Sequence, residues 1–112
     1  MMSKKIKINK YASFFYAGAS GDFNQIHIDE KVAKKSGFKG IVLQGLCTMG
    51  IVSNHLLGMK NPSIIKKIKV RFSKPVYPND ELKIIINKNK FTVLNQFDDE
   101  VISKGEIIFE ED

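Results

Sequence analysis

"GLCTMGIVSNHLLG", residues 45–58, is apolar on nearly every side and carries almost no charge before His55. Its length and composition predict a helix over Gly45–Leu57, and a helix without a wet face has to be wrapped by something. Leu46, Met49, Leu56 and Leu57 read as its core stripe. The wrapping follows in sequence. Ile64–Phe72, Glu81–Asn87, Lys90–Phe97 and Val101–Phe109 are rich in Ile, Val and Phe and read as strands. "PVYPND" (residues 75–80) breaks the first pair and Asp98-Asp99 turns the last. Pro75 and Pro78 suit a loop better than a central strand. Strands in succession make an antiparallel sheet, so the expected class is α+β, with the sheet curled around a central apolar helix. One such sheet in 112 residues cannot cover the helix on all sides, and a homodimer that extends the sheet is the expected remedy.

Upstream of the helix, Lys4–Ile8 alternates like a short strand. Residues 10–19, "KYASFFYAGA", predict a helix with Asn9 as its N-cap and Gly21 at its end. Asp29 reads as the cap of a second short helix, "EKVAKKSG", closed by Gly37. Between the two helices lies "SGDFNQIHIDE", residues 20–30, which holds one of only two histidines.

The 112 residues are expected to form one domain, 1–112. Cys47 stands alone, which leaves no disulfide framework and no Cys-rich zinc pattern. No apolar run is long enough to span a bilayer, and the basic start "MMSKKIKINK" lacks the apolar core of a secretory signal. The expectation is therefore a cytoplasmic protein with no membrane partner. A net charge of +6 points towards anionic partners. Most lysines, however, alternate with isoleucine as on the wet face of a sheet, and Arg71 is the only arginine. That pattern argues against a nucleic-acid reader.

"SGDFNQIHIDEKVAKKSGFKGIVLQGLCTMG" (residues 20–50), followed by "VRFSKPVYPNDEL" (residues 70–82), resembles the MaoC-like dehydratases of the hotdog fold, which include the (R)-specific enoyl-CoA hydratases. The match runs from about Tyr11 to Leu82 and consists of several motifs in the family's order and spacing. It implies a hotdog domain that hydrates 2-enoyl thioesters, or dehydrates 3-hydroxyacyl ones, on coenzyme A or an acyl-carrier protein. Carried over by position, the catalytic dyad is Asp22 and His27, the helix-opening glycine is Gly45, and a helical serine near the thioester is Ser53. Gln25 stands where the family has Pro. Gln44 stands where it usually has His, beside the expected thioester site. Asn24 is a further substrate-side candidate, although it reads first as a loop tie bonding backbone groups.

The chemistry suits those residues. Hydration needs a base for water, a proton source, and donors for the thioester oxygen. A five-residue spacing on a regular helix would turn two side chains about 140° apart, at roughly 3.6 residues per turn, so the loop is what lets Asp22 and His27 share one water. Gly45, opening a buried helix, offers an N–H with no intrahelical partner and no side chain to block an oxygen. No metal or other cofactor is called for. Lys66, Lys67 and Lys69 are the candidates for contacting carrier phosphates. Two rivals remain: an acyl-CoA thioesterase, attacking the carbonyl instead of the β-carbon, and a non-catalytic acyl-thioester-binding subunit or sensor.

Overall fold

The computed structural model describes residues 2–110. In chain order the elements are β1 (Met2–Lys7), α1 (Ala12–Ser20), α2 (Glu30–Lys35), α3 (Gly45–Leu57), β2 (Ile65–Phe72), β3 (Glu81–Asn87), β4 (Lys90–Leu94) and β5 (Glu100–Phe109). Single 3₁₀ turns sit at Gln25–His27 and Pro62–Ile64. The strands form one antiparallel sheet in the order β1-β3-β4-β5-β2.

That order corrects one expectation. β2 pairs with β5 and not with the next strand, so residues 73–80 cross the sheet instead of turning back beside it. The crossing is held locally. Leu43 N–H donates to Val76 O at 2.8 Å, Tyr77 N–H donates to Asp80 Oδ2 at 2.9 Å, and Asn79 takes φ +70°. β4 also ends at Leu94, short of the expected Phe97. The Asn95 side chain accepts the N–H groups of Phe97 and Asp99, which takes them out of the ladder.

α3 lies on the sheet with Val52 fully buried among Ile84, Val93 and Ile107. Thr48 and Leu57 are buried too, with Cys47, Ile51 and Leu56 partly so. The stripe is therefore rotated from the expected one: Leu46 is 67% exposed, and Gly50 and Asn54 continue that open face at four-residue spacing. A single chain wraps only part of the helix. On α1 the buried residues are two small ones, Ser13 and Ala17, and the aromatics Phe14 and Phe15 point outward. Asn9 does not cap α1 directly. Its Oδ1 accepts from Tyr11 N–H at 2.8 Å, closing a turn before the helix begins at Ala12. Asp29 does cap α2, accepting from Lys31 and Val32 N–H.

β5 contains a bulge. Val101 and Ile102 are both buried, Lys104 takes φ +51°, and the pairing with β4 shifts register there. Gly105 fits because a Cβ at that position would lie 2.6 Å from both the ring and the carbonyl oxygen of Phe91.

Candidate active site

Gly21, at φ +80°, closes α1 and releases the chain into a polar loop. Three bonds of one kind then shape it. Asp22 N–H donates to Ser20 Oγ at 3.1 Å, Asn24 N–H to Asp22 Oδ1 at 3.3 Å, and Ile26 N–H to Asn24 Oδ1 at 3.3 Å. Each short polar side chain captures the amide two residues on, a local alternative to helix that Ser, Asp and Asn supply. One oxygen of Asp22 is thereby occupied by the loop itself. The other, Oδ2, faces His27 Nε2 at 3.8 Å.

His27 is fixed from behind. Its ring is buried, and Nδ1 lies 2.7 Å from the carbonyl oxygen of Val42. A carbonyl only accepts, so Nδ1 carries the proton and, in the neutral ring, Nε2 presents its lone pair to Asp22. Val42 is itself tied to the turn, its N–H donating to Ile26 O at 3.0 Å. The Asp22–His27 separation exceeds a hydrogen bond, and both facing atoms are acceptors. A molecule that donates a proton to each satisfies them, and water is the smallest that does. The Asp22 side chain is 48% exposed and that of His27 11%, so one member reaches solvent while the other belongs to the wall.

His27 and Gly45 line the same open cavity of about 360 Å³, with Phe38, Thr48, Phe72 and Val76. Gly45 is the first residue of α3, where a backbone N–H has no intrahelical acceptor and the helix favours negative charge. A Cβ on Gly45 would meet the Phe72 ring at 3.2 Å, so the absent side chain is what lets that ring lie against the helix start. His27, the helix-opening glycine and an apolar wall thus face one cavity, whereas Asp22 is not among its lining residues and meets it only through His27.

Three other candidates sit elsewhere. Gln44 precedes α3, but its side chain turns away from the cavity and is buried, with Nε2 donating to Ser13 O on α1 at 2.9 Å. Ser53 Oγ donates to Gly50 O at 3.0 Å, bonding back along its own helix, and takes no part in the cavity wall. Asn24 is the loop tie already described. Sequence reasoning missed Val42 and Phe72. Val42 acts through its carbonyl, which every residue type has. Phe72 was within reach, since it lies inside the "VRFSKPV" segment that carried the resemblance.

In sequence and in fold the chain is similar to known proteins. A family model described as "MaoC like domain" matches residues 2–107. Over 104 residues the chain is 39% identical to "Probable enoyl-CoA hydratase 2" of Dictyostelium discoideum, a match covering 85% of this chain and 35% of that protein. A crystal structure of a MaoC-like dehydratase from Phytophthora capsici superposes with a TM-score of 0.88 at 28% identity, over 99% of this chain and 40% of that one. An unliganded R-hydratase from Pseudomonas aeruginosa does so with a TM-score of 0.77 at 25% identity, over 99% of this chain and 80% of that one. The chain thus spans about a third of the first curated relative, and its sheet and central helix are those of the hotdog fold. It belongs to the MaoC-like domain family.

Proposed function

We propose that this protein hydrates 2-enoyl thioesters and reversibly dehydrates 3-hydroxyacyl thioesters, with Asp22 and His27 acting through one water. The observation that carries the reading is the fixed tautomer: Nδ1 is committed to Val42 O, leaving Nε2 and Asp22 Oδ2 as two acceptors 3.8 Å apart. The names of relatives support the reaction class, including a "3-hydroxyacyl-thioester dehydratase Y" of Mycobacterium tuberculosis, 39% identical over 71 residues.

In the forward direction Asp22 takes a proton from the water that His27 helps to hold. The water oxygen adds to the β-carbon, and the double-bond electrons move through the α-carbon to the thioester oxygen. Gly45 N–H stabilises that oxygen, and a proton returned to the α-carbon completes the addition. Phe38, Phe72 and Val76 keep bulk water from the acyl chain. A second copy of the chain is part of the proposal. The open face of α3 at Leu46 and the sheet edges β1 and β2 are the surfaces it would cover.

The test is the ultraviolet absorbance of crotonyl-CoA, with free thiol followed in parallel. Loss of absorbance without thiol release, abolished in Asp22→Asn and His27→Ala, supports the hydratase. Thiol release makes the protein a thioesterase. Binding without either change makes it a carrier-binding subunit.

A further inference from the structure

The two members of the dyad are carried by different supports. His27 Nδ1 is bonded to Val42 O at 2.7 Å, and Val42 N–H donates to Ile26 O at 3.0 Å, so the imidazole goes with the segment that leads into α3. Asp22 goes with α1. Gly21 N–H donates to Ala17 O at 2.9 Å, Ser20 Oγ donates to Tyr16 O at 2.7 Å, and Asp22 N–H donates to Ser20 Oγ at 3.1 Å. The carboxylate is thereby fastened to the last turn of that helix. Its distance from His27 depends on where α1 stands against the start of α3.

One side chain joins the two supports. Gln44 Nε2 donates to Ser13 O at 2.9 Å, and among the described residues this is the only hydrogen bond from α1 to any residue after the polar loop. Four consecutive residues thus divide the work of the site. Val42 holds His27, Leu43 N–H donates to Val76 O at 2.8 Å, Gln44 grips α1, and Gly45 opens α3 at the cavity wall.

An amide at this position lowers stability. Gln44 is 2% exposed and its Oε1 has no hydrogen-bond partner among the described residues. A buried acceptor left unpaired opposes folding. Gln44 is also the N-cap of α3, yet its side chain accepts none of that helix's first amides. Nor does Ser13 O require it, because a carbonyl inside a helix accepts from the amide four residues on. An apolar side chain of similar length would fill the same space without an orphan oxygen. Local stability does not account for Gln44, and the alignment of the two supports does.

We propose that Gln44 is a positioning residue for the hydration, holding α1 where Asp22 Oδ2 stands 3.8 Å from His27 Nε2. It is absent from the cavity wall, so it acts through Asp22 and not on the substrate. The inference rests on the hydratase reading above.

Gln44→Met, close in length and without the amide, is the test. With crotonyl-CoA, kcat should fall about 10-fold or more, as for a misplaced catalytic group, while KM stays within about 2-fold. The melting temperature should equal or exceed the parent's, since an unpaired buried acceptor has gone. Placed on Asp22→Asn, the same substitution should cost less than about 2-fold in kcat, because the group it positions is already lost. In nitrogen-15-labelled protein the amide signals of Asp22 and Asn24 should move. An unchanged kcat, or a full further loss on Asp22→Asn, overturns the proposal. A variant that melts well below the parent or fails to fold shows an ordinary core role and overturns it too, as do unmoved Asp22 and Asn24 signals. Signals that move in a protein with no turnover in any form leave the link from Gln44 to Asp22 standing and remove the hydratase reading instead.

Discussion

His27 Nε2 is left as an acceptor only because the other ring nitrogen is committed to Val42 O. Replacing His27 by Ala removes the Nε2 lone pair, and turnover should fall by about 10²–10⁴-fold, the usual range for a positioned acid–base group. Asp22→Asn keeps the side chain's shape and its bond to Asn24 N–H but loses the carboxylate, so the rate falls similarly while the melting temperature stays within a degree or two. Steady-state kinetics with circular dichroism separates the two effects. Cys47 behaves oppositely: burial pushes its thiol up from the ordinary value, so it stays protonated at neutral pH. It should alkylate with iodoacetamide more slowly than a free cysteine, as mass spectrometry would show. The polar loop of residues 20–26 was legible because it is built from contacts two residues apart, which a linear reading can see, whereas the roles of Asp22 and His27 came from the family resemblance. The inward turn of Gln44 to Ser13 was not, because it depends on how α1 packs against the start of α3.

Among the elements, β5 offers the sharpest stability test. Gly105→Ala drives a methyl into Phe91, ring and backbone alike, and the backbone oxygen cannot swing aside. A loss of about 1–3 kcal/mol is expected, typical of overpacking, measured by urea denaturation. Asp29→Ala should lower stability by about 1 kcal/mol through the lost cap of α2. Asp29 and Gly21 could be read directly, since a cap and a stop are local events. The side of the sheet on which β2 lands could not. "PVYPND" announces a break in the strands, but whether the chain turns or crosses is decided by contacts such as Leu43 with Val76, more than thirty residues apart. Phase is the other loss: a helix apolar all round gives no sequence signal for which stripe turns inward, so Leu46 was assigned to the core and stands open.

At the scale of the molecule, the open stripe on α3 predicts association. Light scattering should give twice the 12.7 kDa chain mass, and Leu46→Glu should shift it towards the single-chain value. Acid should act partly through the sheet. Glu106 on β5 faces Lys90 of β4 and Lys67 of β2, and the Lys90 ammonium holds its carboxyl below the usual range. Its folded-state pKa is depressed, so its contribution is present above the ordinary carboxylate range and disappears as pH falls through the lowered value. Glu106→Gln should lower the melting temperature slightly at pH 7 and leave it unchanged at pH values where the carboxyl is protonated, with salt shrinking the difference.

Val42 joins these scales. Its amide is bonded to Ile26 and its carbonyl to His27, so the turn that bears the imidazole and the segment behind it are fastened at one residue through both of its peptide groups. Hydrogen exchange at this amide therefore times the opening of the site itself. A ligand seated between Asp22 and His27 would slow that exchange. A slower exchange with ligand bound would therefore report that the segment behind the imidazole is held more firmly against its turn.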